Sequence, residues 1–260
     1  MSGVSPIVLI HGAFQTARTW DLVAPRLREA GANVIVATLT GLENSDDLRE
    51  TVALDTHIRD VTDLLERDDL SDVTLVGHSY AGMIATGVAE HARERIAHLV
   101  YVDALVPEHG QSALDILPEP TRHTFRRLAE EGGGWRMRPS EHLLDLWGLE
   151  DGSARAFVQD RLVDFSIRCF SQPLPAPTHA AHTLHRSYIA RVKPGYPAKP
   201  VFEPFASRAR REGWVDHELS TGHDAQAEEP AALSELLLKI AATSVPPAPR
   251  AGPGSPQALG

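Results

Sequence analysis

Ser79, Asp103 and His223 lie in that order along a chain of 260 residues, and their types are those of a nucleophile, an acid and a base. Serine is a weak nucleophile at its own pKa. It needs a base within hydrogen-bond reach and a third group that fixes the tautomer of that base. Together the three could attack a carbonyl carbon and pass through an acyl intermediate that water resolves. Ser79 stands in TLVGHSYAG, where a β-branched run meets Gly77 and a small-residue run, AGMIATGVAEHA, follows. That pattern predicts a strand, a sharp turn and a buried helix, with the hydroxyl projecting from the sheet end. The new helix aims backbone N–H groups and its positive dipole at whatever Ser79 attacks. The motif is G-x-S-x-A rather than G-x-S-x-G, and Gly82 is expected to help accommodate the methyl of Ala81.

The elements that must hold these groups follow from the hydrophobic pattern. Pro6 to Ile10 reads as a buried strand running into HGAFQTARTW, and Trp20 to Ala30 as a helix. The His-Gly pair lets the Ala13 amide point at the same spot as that of Tyr80, and two such N–H groups make an oxyanion hole. Phe14, beside Ala13, is assigned to substrate contact. Asn33 to Leu39 predicts a second strand, Val52 to Leu65 an amphipathic helix, and HLVYVDALVP a strand that ends in Asp103. Strands resume at SYIARV and WVDHEL, and STGHD brings His223 in just after the last of them. A helix from about Pro230 to Ala242 follows. Strands alternating with helices imply an α/β fold with a mostly parallel central sheet flanked by helices, whose ligands sit outside the carboxyl ends of the strands.

Between Pro107 and Arg186 the pattern changes to helical pieces broken by EEGGGW and SQPLPAPTH, with no convincing strand. The expected organisation is a core of residues 1–106 and 187–243, an inserted helical cap at 107–186, and a disordered Pro- and Gly-rich tail at 244–260. Leu143, Leu146, Trp147, Phe157, Leu162 and Phe165 are spaced as faces packing against the sheet; if the segment covers Ser79, some should line an apolar pocket. A net charge of −10 provides no basic stripe for nucleic acid, and a composition of 42% hydrophobic and 23% charged residues is that of a globule without a membrane span. The single cysteine, Cys169, forbids an internal disulfide and is read as a packed hydrophobe. His179, His182 and His185 lack supporting ligands nearby, so no metal is expected. His11 and His78 are read as structural. The N-terminal run is too short for a signal peptide, and the expectation is a cytoplasmic protein acting on a small molecule without a cofactor.

HGAFQTARTW, LVGHSYAG, DALVPEHGQS and STGHD resemble the alpha/beta-hydrolase fold superfamily, and more narrowly the small-esterase branch that includes plant methylesterases and hydroxynitrile lyases. The resemblance spans about Pro6 to Ala242. It implies Ser79 as nucleophile, His223 as base, the Ala13 and Tyr80 amides as oxyanion hole, and 107–186 as a cap. The acid departs from that branch, which usually carries an aspartate just after the strand corresponding to SYIARV; this chain has KPGYPAKPVFEP there. Asp103 takes the role, at a position similar to one used by haloalkane dehalogenases, with Glu203 the next candidate; Asp216 and Asp224 are poorly placed. The expected reaction is hydrolysis of a small, largely apolar carboxylic ester or lactone. The alternatives are a cofactor-free lyase, against which the absence of lysine in STGHDAQAEEP counts, and a binding protein without turnover.

Overall fold

A computed structural model describes residues 5–150, 152–174 and 179–243. The first half of the chain forms β1 (Ile7–Ile10), a 3-10 turn (Ala17–Trp20), α1 (Ala24–Glu29), β2 (Val34–Val36), α2 (Leu54–Arg67), β3 (Val73–His78), α3 (Ala81–His91) and β4 (Ile96–Val102). The middle comprises α4 (Ala113–Ile116), α5 (Glu119–Glu131), β5 (Arg136–Met137), α6 (Glu141–Leu146), α7 (Ser153–Gln159), β6 (Phe165–Ser166), α8 (Ile167–Ser171) and α9 (His179–His182). The last part is β7 (His185–Arg191), α10 (Lys199–Arg211), β8 (Val215–Leu219), α11 (Ala225–Glu228) and α12 (Pro230–Thr243).

Six strands pair in the order β2-β1-β3-β4-β7-β8, every pairing parallel. The apolar runs read from the sequence are continuous because both faces of the sheet are covered. Val8, Ile10, Leu75 and Tyr101 pack on one face with Ile58 and Val61 of α2 and Met83 of α3. Ile7, Leu9, Val100 and Val102 face the other way, against Leu27 of α1 and Leu233 and Leu237 of α12. The chain leaves β1 for β2 on one side and returns to β3 on the other, so the strand order reverses between β1 and β3. Loops that part at such a point open a crevice at the carboxyl ends of the strands. Ala13 and Ser79 flank it.

The middle segment departs from the sequence expectation in one respect. Arg136–Met137 and Phe165–Ser166 pair as a two-stranded antiparallel ribbon within a stretch expected to hold helices alone. Strands of two residues are too short to show a period. β7 also begins two residues earlier than the expected core boundary at 187, at His185. The expected helix at Trp20 to Ala30 becomes a 3-10 turn and the short α1, which Pro25 starts in its first turn. The tail expected at 244–260 and residues 175–178 of the Pro-rich break lie outside the described residues.

The turn carrying Ser79 is laced to the loop after β4. The Ser79 amide donates to the Val102 carbonyl at 3.1 Å, and the Ser79 carbonyl accepts from the Leu105 amide at 3.0 Å. A Cβ on Gly82 would stand 2.1 Å from the Leu105 carbonyl oxygen. The closest approach of this helix start to the β4 loop therefore falls at position 82. Gly82→Ala is expected to lower stability by about 2 kcal/mol, within the range for overpacking a tight site, as measured by urea unfolding. An unchanged midpoint would show that the two loops can separate freely.

Candidate active site

Ser79 sits at the end of β3 with φ +58, and Asp103 at the end of β4 with φ +43. Phe14, in the loop after β1, has φ +61. The left-handed region disfavours residues with a Cβ, so these three turns are held by their surroundings. Around Asp103 the lacing is dense. Its amide donates to the Ile189 carbonyl at 2.9 Å, and the Tyr188 hydroxyl donates to the Ala104 carbonyl at 3.1 Å.

The loop after β8 brings His223 to the Asp103 carboxylate. His223 Nδ1 lies 2.7 Å from Asp103 Oδ2, and both residues are buried. Nδ1 therefore carries the proton it donates to the carboxylate, leaving Nε2 as the acceptor nitrogen. His223 and Ser79 line one cavity of about 310 Å³. The His223 amide donates to the Trp147 carbonyl at 2.8 Å, and the Phe202 ring stacks on the imidazole with centroids 4.7 Å apart. His78 Nε2 donates to the His223 carbonyl at 3.0 Å, tying the loop to β3. His11 is also buried, its Nδ1 donating to the Gly12 carbonyl at 3.1 Å, and burial pushes its imidazole down to about 4.

The other acid candidates are engaged elsewhere. Glu203 on α10 accepts from Arg210 Nη2 at 2.6 Å and Ser207 Oγ at 3.0 Å. Asp216 in β8 pairs with Arg210 at 3.5 Å. Asp224 is fully buried but accepts from Gln15 Nε2 at 2.5 Å and Gln226 Nε2 at 2.9 Å. Sequence reasoning missed Tyr196, whose hydroxyl donates to Asp103 Oδ2 at 2.7 Å. It also missed Arg191, a charged residue at the end of an apolar strand whose backbone amide hydrogen-bonds the Asp103 carboxylate. The charge within SYIARV was the available signal for Arg191; Tyr196 had none, because its contact is made across loops.

Ala13, Phe14 and Tyr80 line the same cavity as Ser79. A Cβ on Gly12 would come within 3.0 Å of Ser79 Cβ, so the His-Gly pair is what lets this loop pass against the Ser79 turn. The Tyr80 side chain turns away into the core, where its hydroxyl donates to His57 Nδ1 at 3.2 Å. Leu143, Leu146 and Trp147 line the cavity, whereas Phe165 packs on Phe14 and Tyr80 at centroid distances of 5.3 and 5.2 Å. Cys169 is buried, its thiol pushed up by burial. Among the described residues no three histidine, cysteine or carboxylate side chains converge to hold a metal ion, and no helix is long and apolar enough to cross a membrane.

A strand-to-helix serine turn at the switch point of a parallel sheet, sharing a cavity with the histidine of a hydrogen-bonded histidine–aspartate pair, is the arrangement of a class of hydrolases. The sequence profile described as the alpha/beta hydrolase family matches residues 7–236. A carbendazim hydrolyzing esterase of Nocardioides is 35% identical over 243 residues, covering 90% of this chain and 98% of the relative. A pyrethroid hydrolase of Sphingobium wenxiniae is 33% identical over 139 residues, or 50% of this chain and 49% of that one. In fold, an extracellular alpha/beta-hydrolase from a Paenibacillus species matches with a TM-score of 0.76 at 23% identity, covering 90% of this chain and 98% of that one. The chain belongs to the alpha/beta hydrolase family and is a carboxylic ester hydrolase of its esterase branch, which resembles the plant methylesterases.

Burial pushes the Asp103 carboxyl up to about 7, against the pull of the Arg191 cation and the Tyr196 hydroxyl, and burial with the Arg191 charge holds His223 down at about 3. Near neutral pH the imidazole is thus uncharged, with Nε2 open to accept a proton, and the carboxyl is at the edge of ionisation. Protonating Asp103 removes the charge that orients His223 and stabilises its protonated form. Ester turnover is expected to fall along a one-proton limb as pH drops through about 7. A kcat/KM profile that stays flat down to about pH 5 would contradict this.

Proposed function

We propose that the enzyme cleaves a small, largely apolar carboxylic ester or lactone through an acyl-enzyme on Ser79. The observation that carries this reading is the 2.7 Å contact between His223 and Asp103 beside a cavity that also holds Ser79. His223 Nε2 takes the Ser79 proton as Oγ forms a bond to the carbonyl carbon. The carbonyl oxygen, now negative, is received by the amides of Ala13 and Tyr80 at the start of α3. Collapse breaks the bond to the alkoxy group, which leaves with the proton from His223. Water then gives a proton to His223 and adds its oxygen to the acyl carbon, releasing the acid and restoring Ser79.

The segment between β4 and β7 serves as a cap. α5 supplies Phe125, α6 and its end supply Leu143, Leu146 and Trp147, and α8 supplies Phe170 to the cavity wall. Phe125 and Phe170 stack with centroids 4.8 Å apart, which favours a flat, apolar group over a branched polar one. A cavity of about 310 Å³ is at the small end for such ligands. The named actions of the relatives, on carbendazim and on pyrethroids, fit a site of this kind. Chemistry of the hydroxynitrile-lyase type is disfavoured by Lys193, which donates to the Gly148 carbonyl at 3.3 Å and pairs with Glu150 and Glu228 without lining the cavity.

A fluorophosphonate probe is expected to add once to the parent chain by intact mass and not at all to Ser79→Ala, which should also lose turnover of short-chain aryl esters. A folded parent that takes up no probe and turns over no ester would point to a binding protein. Asp103→Asn should fold and lower kcat by roughly 10³ to 10⁴, while Glu203→Gln should leave it within about twofold of the parent. The reverse pattern would move the acid to α10.

A further inference from the structure

Arg191 closes β7 with a side chain that is 2% exposed, and its Nε, Nη1 and Nη2 have no hydrogen-bond partner among the described residues. A guanidinium does not shed its proton in a protein, so burial on this scale requires counter-charge nearby. Two carboxylates provide it. Asp103 and Asp224 both act on Arg191 electrostatically, together with the hydroxyls of Tyr188 and Tyr196. Asp224 has one oxygen held by Gln15 and Gln226, while its Oδ2 is buried without a partner. Asp224 and Arg191 are thus complementary groups left open in the same dry region behind His223. The hydrolytic scheme above uses neither.

We propose that Arg191 is a positioning residue: its buried guanidinium is the shared counter-charge of Asp103 and Asp224, and it favours the carboxylate form of Asp103 that accepts from His223 Nδ1. The proposal rests on Asp103 being the acid of the triad. The groups around this charge are defined. Asp103 is faced by Arg191 and Tyr188 of β7, Tyr196 of the following loop, Glu203 of α10, and His223 and Asp224 of the loop after β8. Arg191 is faced in addition by His78 of β3 and by His223, whose protonation its charge also disfavours. Among these, Arg191 is the cation that favours the Asp103 carboxylate, while Glu203 and, where it is ionised, Asp224 oppose it; burial pushes the Asp224 carboxyl up to about 7. Asp224 also competes for the guanidinium. The two members of the pair must therefore act on Asp103 with opposite sign.

The test is the pH dependence of kcat/KM for p-nitrophenyl acetate in Arg191→Met, Arg191→Lys, Asp224→Asn and the parent, with folding checked by circular dichroism. Removing the cation is expected to move the acidic limb up by about one pH unit or more, an ordinary size for loss of an opposite charge. Arg191→Lys should recover at least about half of that shift, since it restores charge without the guanidinium shape. Asp224→Asn should move the limb down, by freeing the guanidinium for Asp103. A limb that stays in place in a folded Arg191→Met, with activity lowered equally at every pH, would reduce Arg191 to packing and overturn the proposal. Where Arg191→Met does not fold, the double variant Arg191→Met/Asp224→Asn, which removes both buried charges, decides: a limb above that of Asp224→Asn supports the counter-charge, and a limb equal to it overturns the proposal. Asp103→Asn separates the two levels. If it retains full activity, the triad assignment itself is wrong; if it is inactive while Asp224→Asn leaves the limb unmoved, the counter-charge alone is wrong.

Discussion

The contact on which the site depends is the hydrogen bond from His223 Nδ1 to Asp103 Oδ2, 2.7 Å long, with Asp103 2% exposed. An ionised carboxylate taken out of water is costly unless donors and counter-charge replace its hydration. Here the replacements come from separate parts of the chain. The Arg191 amide comes from β7, the Tyr196 hydroxyl from the loop before α10, and the imidazole from the loop after β8. Burial and the neighbouring Asp103 charge keep the Tyr196 hydroxyl well above its ordinary titration range, so it remains a donor at any working pH. Parallel strands that end together are what allow groups so far apart in sequence to meet on one carboxylate.

The same strand ends carry backbone conformations that cost energy. Phe14, Ser79 and Asp103 are three of the five residues other than glycine with positive φ among those described. Each such residue costs on the order of 1–3 kcal/mol and persists only where its surroundings over-determine it. β1, β3 and β4 meet that condition, being adjacent in the sheet and packed on both faces. The turn at Ser79 and the turn at Asp103 also hold each other through the amide of Leu105 and the carbonyl of Ser79, 3.0 Å apart. The turns that carry Ser79 and Asp103 are therefore parts of one backbone knot.

Legibility followed the range of the interactions. Ser79 could be read because a strand, a turn and a helix start within a single stretch, and the sheet strands because burial on both faces writes continuous apolar runs. The close approach of Gly77 and Ala81 in the G-x-S-x-A motif is local and legible, a Cβ on Gly77 standing 2.6 Å from the Ala81 carbonyl oxygen; the tighter contact at Gly82 is not, because its neighbour is a carbonyl of a distant loop. The ribbon of Met137 and Phe165 escaped because two-residue strands carry no alternation. Asp224 was judged by its adjacency to His223, as a rival orienter. What its carboxylate does is decided by Gln15 and Arg191, over spans that no local pattern records.

The placement of the acid and the charge at the end of β7 are best understood together. The esterase branch that this chain resembles usually keeps its aspartate just after the strand that here is β7. In this chain β7 ends in Arg191, and the carboxylate stands on β4, its neighbour in the sheet. Moving the acid by one strand keeps it within reach of a histidine presented from the loop after β8, since β4, β7 and β8 are consecutive. It also takes the carboxylate away from the sheet edge toward the middle, where water is scarcer and an unpaired charge is harder to sustain. Arg191, at the end of β7, lies beside Asp103 and carries the opposite charge. Asp103 and Arg191 thus depend on each other: Asp103 without the cation would be a carboxylate in a dry site, and Arg191 without Asp103 a guanidinium left to Asp224 alone.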